Sequence, residues 1–197
     1  MSVGLADLVR RLRDRLERAE GPAAAEAAHV QALLDRASVE QTDYVATAHP
    51  LTQHLAGTLA GLDRDAPDIA AALRPLAEGL PWRYGYAPRD DLPDLHRNMG
   101  WAEFVGPAAP FHSDEVCLGL TLIGPHAHYA SHSHPAVELY HVLTGAAEWN
   151  GAARPPGAFI LHEANQPHAM RAGAAPLLAL YTWSGDIVSP SVWNPLQ

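Results

Sequence analysis

The chain has 197 residues, of which 48% are hydrophobic and 18% charged, with a net charge of −9. That length suits one well-buried domain with room for an additional subdomain, and only 13 Lys and Arg leave no basic patch for nucleic acid or an anionic membrane. Cys117 is the single cysteine, which excludes an intrachain disulfide and points to a reducing, cytoplasmic setting.

The opening MSVGLADLVRRLRDRLERAE mixes charge with leucine and has no apolar h-region, so it reads as neither a signal peptide nor a membrane span. Residues 4–19 set Leu5, Leu8, Val9, Leu12 and Leu16 on one helical face, and Gly21-Pro22 ends that helix. Residues 23–36 read as a second helix carrying Val30, Leu33 and Leu34. Pro50 opens a third that aligns Leu51, Leu55, Leu59 and Leu62, and a fourth starts near Ala66-Pro67 and is limited by Pro75. Residues 1–79 are thus expected to form a helical region. Its leucine stripes need a surface to cover, either the rest of the chain or a second subunit, so a homodimer is a possible assembly.

The pattern changes at Leu80-Pro81-Trp82, and residues 80–197 are expected to form a β domain. Strands are expected over 82–86, 100–105, 116–123, 129–134, 137–143, 146–150, 158–161, 168–171 and 177–183. Gly106-Pro107, Gly124-Pro125, Asn150-Gly151, Pro155-Pro156-Gly157 and Ala172-Gly173 mark the turns between them. Many short, closely spaced strands argue for a mainly β, antiparallel barrel or sandwich. Residues 186–197 show little periodicity and read as a closing tail.

The histidines crowd between His112 and His168, and one stretch among them has regular spacing. His132, His134, Glu138 and Gly145 spell H-x-H-x3-E-x6-G, with Pro167-His168 further on. Residues two apart share a strand face, so His132 pairs with His134 and Glu138 with Tyr140. Three imidazoles and a carboxylate without a thiolate suit one divalent transition metal: Zn, Fe, Mn, Ni or Co. His162 is a rival to His168 as the third imidazole. Trp149, Phe159, Tyr181 and Trp183 lie on strands able to line a pocket, and Cys117 reads as a buried, inert thiol.

This spacing resembles the cupin superfamily, whose second motif is matched by Pro155-Pro156-Gly157 and Pro167-His168. The resemblance implies a double-stranded β-helix, or jelly-roll, barrel behind the N-terminal helices. A narrower likeness covers most of the chain. Trp82 to Tyr86, Phe104-Val105-Gly106-Pro107, Cys117 to Thr121, and the run from Tyr129 through His132, His134 and Glu138 to Tyr140 look like the cupin-type dimethylsulfoniopropionate lyases. That resemblance implies β-elimination of dimethylsulfoniopropionate (DMSP) to dimethyl sulfide and acrylate. It implies Tyr140 as the base and Tyr129 as a pocket residue. The partner would be a small molecule bearing a carboxylate and a sulfonium. The same ligand set also fits a cupin dioxygenase or isomerase acting on another small carboxylate, or a non-catalytic metal-binding cupin. Tyr140, two residues from Glu138, is the feature that favours the lyase.

Overall fold

The structure, a computed structural model, describes residues 2–87 and 89–194. Helices come first: α1 (Ser2–Leu16), α2 (Pro22–Leu34), a 3-10 turn (Pro50–His54) running into α3 (Leu55–Asp65), and α4 (Pro67–Leu73). Pro22, Pro50 and Pro67 each stand at the start of their element, where a missing N–H is no loss and the ring presets φ. A short α5 (Leu95–Asn98) leads into the first strand.

Two sheets follow. One orders its strands β2 (Phe111–His112), β1 (Met99–Gly106), β3 (Val116–Ile123), β10 (Leu177–Gly185), β5 (Ala136–Thr144) and β8 (Phe159–His162). The other orders β11 (Val192–Trp193), β4 (His128–Ser133), β9 (His168–Ala172), β6 (Ala147–Trp149) and β7 (Ala152–Arg154). Among the described residues the pairings between strands are antiparallel except β1 with β2. The result is the mainly β double-stranded barrel that the motifs imply, preceded by helices.

Strand parity then divides the side chains between two cores. Leu118, Leu120 and Leu122 of β3, Leu139 and Leu143 of β5, and Leu178 and Leu180 of β10 join the leucines of α1 to α4 in one cluster. Their neighbours in sequence, Cys117, Tyr140, Val142, Ala179 and Tyr181, belong to a second cluster inside the barrel. Both faces of the larger sheet are therefore covered, which is why β3 is buried at every position and reads as an unbroken apolar run. A helix of 15 residues such as α1 is marginal alone. Burying Leu5, Leu8, Leu12 and Leu16, at roughly 1.5–3 kcal/mol each, is what holds it. These stripes are buried within the chain itself, against the outer face of the larger sheet.

Gly145 turns the chain after β5 at φ +79, where a Cβ would lie 2.3 Å from the Pro176 carbonyl oxygen. Glycine is required there on both counts. Two expectations need correction. Residues 82–86 are not a strand; only Arg83 makes an isolated bridge, to Trp101. The run is too short and too interrupted by Pro81 and Gly85 to join the ladder, and it passes over the barrel mouth instead. The C-terminal segment is not a bare tail either, because Val192 and Trp193 pair with Ser133 and His132 as β11.

Candidate metal centre and pocket

The smaller sheet brings His132 of β4 directly opposite His168 of β9. In the larger sheet, Glu138 of β5 faces His162 of β8 on one side and Trp183 of β10 on the other. His134 follows β4 in the bend at Pro135. All six side chains converge between the sheets, and the four histidines and Glu138 are each buried to 2% exposure or less.

Backbone carbonyls fix how three of the imidazoles present themselves. Nδ1 of His132 donates to Ala130 O at 2.9 Å, Nδ1 of His134 to Ala136 O at 3.1 Å, and Nδ1 of His168 to Gln166 O at 2.9 Å. A carbonyl only accepts, so each Nδ1 carries the proton and each Nε2 is left to face inward. This is the arrangement by which histidine ligands are oriented. Nε2 of His134 lies 3.0 Å and Nε2 of His168 3.1 Å from Oε2 of Glu138. The other oxygen, Oε1, accepts from the Trp183 indole at 2.8 Å.

The electrostatics favour a cation at this point. Burial opposes ionisation of Glu138, but His134, His162 and His168 outweigh it and hold the carboxyl well below its usual range. His134 is also buried, yet the Glu138 carboxylate raises its affinity for a proton. Burial, with His168 close by, holds His132 well below the ordinary histidine value, so it is a neutral donor. His132, His134 and His168 place ligand atoms within 4.8 Å of one another, as do Glu138, His162 and His168. Imidazoles and one carboxylate, oriented from outside and crowded together, form a buried cluster able to bind a metal ion.

The cluster opens into a cavity of about 380 Å³. Tyr86, Trp101, Thr121, Tyr129, Tyr140, Tyr181 and Trp183 line it, and the segment 187–191 crosses its mouth. Tyr129 stacks on His132 with centroids 3.9 Å apart, and its hydroxyl hydrogen-bonds that of Tyr86. Burial raises Tyr129 and Tyr140 well above an ordinary phenol, with Tyr86 next in importance for the first and the Glu138 charge for the second. Burial pushes Tyr86 up to about 12. At the far end, Glu103 pairs with Arg83 at 2.8 Å and accepts from Tyr181 at 3.1 Å. Gly119 makes that possible, since a Cβ there would lie 2.7 Å from the Tyr181 ring.

A family model described as dimethylsulfoniopropionate lyase matches residues 22–179. The chain belongs to this family. The DMSP lyase family is one of carbon–sulfur lyases, and two of its curated members align well here. One, from Cereibacter sphaeroides, carries the provisional name dimethylsulfoniopropionate lyase DddL. It is 31% identical over 160 residues, 79% of this chain and 68% of that protein. The other is dimethylsulfoniopropionate lyase DddQ of Ruegeria pomeroyi, 33% identical over 116 residues, which are 56% of this chain and 58% of the relative. The fold also matches a crystal structure from work on the DMSP lyases RdDddP and RnDddQII. That match has a TM-score of 0.79 at 26% identity and covers 98% of this chain and 99% of the other.

Within this DMSP lyase fold the residues singled out in the sequence fall into two groups. His132, His134, Glu138, His168, Tyr129, Tyr140, Tyr181 and Trp183 come together around one space. Trp149 and Phe159 do not line it. Trp149 packs behind Tyr140, with ring centroids 4.9 Å apart. Phe159 lies opposite His141 and stacks on it at 4.2 Å, facing the helices. It is three residues from His162, an odd number, so the two point to opposite faces of β8. Cys117 does touch the cavity, and burial, followed by the Glu103 charge, pushes its thiol far up, which agrees with an inert role.

Tyr86, which lines the cavity, and Trp193, which packs behind it, were not visible in the sequence as parts of the site. They stack with centroids 4.3 Å apart, and Trp193 in turn carries the Arg89 guanidinium at 4.9 Å. Tyr86 lies in a Gly- and Pro-interrupted loop and Trp193 on a two-residue strand, so neither had a periodic signal. The sole cue was the density of aromatics in each segment.

Proposed function

We propose that this chain cleaves dimethylsulfoniopropionate to dimethyl sulfide and acrylate by β-elimination, using a divalent metal held by His132, His134, Glu138 and His168. The observation that carries the reading is the cavity onto which Glu138, His132, the buried phenols of Tyr129, Tyr140 and Tyr181 and several further aromatic side chains open together. A metal bound there supplies a Lewis acid for the substrate carboxylate, which acidifies the adjacent α-CH2.

The chain's own groups account for the remaining steps. Tyr140, on the same strand face as Glu138, accepts the α-proton on its phenolate oxygen. The α-C–H electron pair becomes the C=C bond of acrylate, the C–S bond breaks, and its electron pair leaves with neutral dimethyl sulfide. Burial and Glu138 keep Tyr140 protonated by default, so the phenolate depends on positive charge arriving beside it. The faces of Tyr86, Trp101, Tyr181 and Trp183 suit a sulfonium, which a ring quadrupole attracts without neutralising it. No described helix is long and apolar enough to cross a membrane, and the lone Cys117 fits work in the cytoplasm.

The hydrogen bond between Tyr86 and Tyr129 favours a second reading of the base. A Tyr129 phenolate would keep the Tyr86 hydroxyl as a donor, whereas a Tyr140 phenolate lies beside the Glu138 carboxylate. Incubating metal-reconstituted protein with DMSP tests the function. Dimethyl sulfide and acrylate should appear in equal amounts, and neither should form from protein stripped by a chelator. Failure to release sulfide at full metal occupancy would overturn the substrate, leaving a dioxygenase or isomerase on another small carboxylate.

A further inference from the structure

His162 is the one histidine of the cluster without a carbonyl to orient it. It is 1% exposed, and neither ring nitrogen has a hydrogen-bond partner. Nδ1 stops 3.6 Å from Oε2 of Glu138, just beyond hydrogen-bond length. Its ring lies face to face with that of His168, centroids 3.9 Å apart and planes 8° from parallel. An imidazole binds a metal in its own ring plane, along the nitrogen lone pair. Two parallel rings so spaced keep their lone pairs in separate parallel planes, so an ion in the plane of His168 lies outside that of His162. In this arrangement His162 and His168 cannot ligate one ion together, and His168, with its Nδ1 committed to Gln166, is the ring already oriented for the task.

From this geometry we infer that His162 is a positioning residue of the metal centre, one that bounds two ligands, Glu138 by its Nδ1 edge 3.6 Å from Oε2 and His168 by its ring face. The inference rests on the metal site proposed above. The His168 ring meets the edges of His132 at 4.1 Å and His134 at 5.1 Å on its other sides. His162 covers one face of the His168 ring and so limits its freedom to tip away. Glu138 is likewise bounded, by Trp183 at Oε1 and by His162 near Oε2. A residue so placed acts through the ligands: it should alter how tightly and in what geometry the metal is held without adding a ligand. Loss of such outer contacts typically lowers metal affinity by about 10- to 100-fold.

The test uses full-length protein, Co(II) as the metal, and two variants. His162→Phe keeps a stacking ring and removes both nitrogens; His162→Asn keeps a short N–H donor and removes the ring. Affinity is read by chelator competition, geometry by the visible Co(II) spectrum, and the number of bound imidazoles by X-ray absorption. Each folded variant should bind Co(II) about 10- to 100-fold more weakly, with a shifted spectrum and an unchanged imidazole count. Wild-type affinity in either variant overturns the inference, so a failure of one to fold leaves the other to decide. A lost imidazole in either variant also overturns it, by making His162 a ligand. Wild-type protein that takes up no Co(II) overturns the metal site itself, and this inference with it.

Discussion

Trp183 donates its indole N–H to Oε1 of Glu138 at 2.8 Å from the position directly opposite on the adjoining strand. The bond commits one carboxylate oxygen and turns the other, Oε2, toward His134 and His168. A second contact reinforces it, because the Trp183 ring lies against His134 with centroids 4.3 Å apart. Trp183→Phe keeps an aromatic ring beside His134, though a smaller one, and removes the donor. We expect its metal affinity to fall about tenfold, by chelator competition, with the circular dichroism of the fold unchanged. An unchanged affinity would show that Glu138 is oriented without it.

Elemental analysis of single variants tests the ligand set. His134→Ala and His168→Ala should each purify with little metal after dialysis, because each removes an imidazole whose Nδ1–H is already donated to a backbone carbonyl, leaving Nε2 for the metal. Glu138→Ala removes the only carboxylate of the cluster and should also weaken binding. It additionally leaves the Trp183 N–H without its acceptor, so lower thermal stability should accompany the metal loss. Full occupancy in the two histidine variants would contradict the assignment.

Much of this centre was legible in the sequence because strand parity and ligand chemistry agree there. His132 with His134, and Glu138 with Tyr140, share faces by spacing alone, and Gly145 marks the hairpin turn that follows. Parity also explains the error at Phe159, since an odd separation from His162 already placed it on the other face. Pairing between distant segments was not legible. Nothing local says that His168 sits opposite His132, or that Val192 and Trp193 add a strand to β4. The loop that carries Tyr86 to the cavity has no period to read. Its position follows from the Arg83–Trp101 bridge, which is tertiary. The helical leucine stripes were clear, but the surface they cover became evident only from the outward leucines of the larger sheet.

Those leucines give the next prediction. We propose that residues 1–79 act as a layer on the barrel and not as an independent unit, because the helices and the sheet's outer face share one apolar cluster. A truncation beginning at Leu80 would leave Leu118, Leu120, Leu122, Leu178 and Leu180 facing water, and a patch of that kind drives association. The truncated protein should aggregate on size-exclusion chromatography. A soluble monomer with an unchanged melting temperature would contradict the packing.

His141 supplies a pH dependence away from the metal centre. It faces the helices, and burial, with Arg15 nearby, pushes its imidazole down from 6.5 to about 4. Between those values the unfolded chain binds the proton and the folded chain does not. The stability from the neutral ring is therefore complete above about pH 6.5 and is lost as the pH falls toward 4, by roughly 3 kcal/mol at the limit. Denaturant titrations of metal-free protein should show this decline, and His141→Leu should flatten it. A His141→Leu protein that keeps the wild-type slope would show that other groups set the acid limit.

The most direct test of the central claim is the turnover of DMSP by Tyr140→Phe at full metal occupancy, with Tyr129→Phe measured beside it. Each substitution keeps the ring and removes one hydroxyl. Loss of the base should lower kcat by about 10²–10⁴ in Tyr140→Phe, while metal content stays at the wild-type level and Tyr129→Phe loses less. The reverse order would move the base to Tyr129 and its Tyr86 partner. If both variants hold metal and release dimethyl sulfide at the wild-type rate, elimination by a phenolate base in this cavity is contradicted.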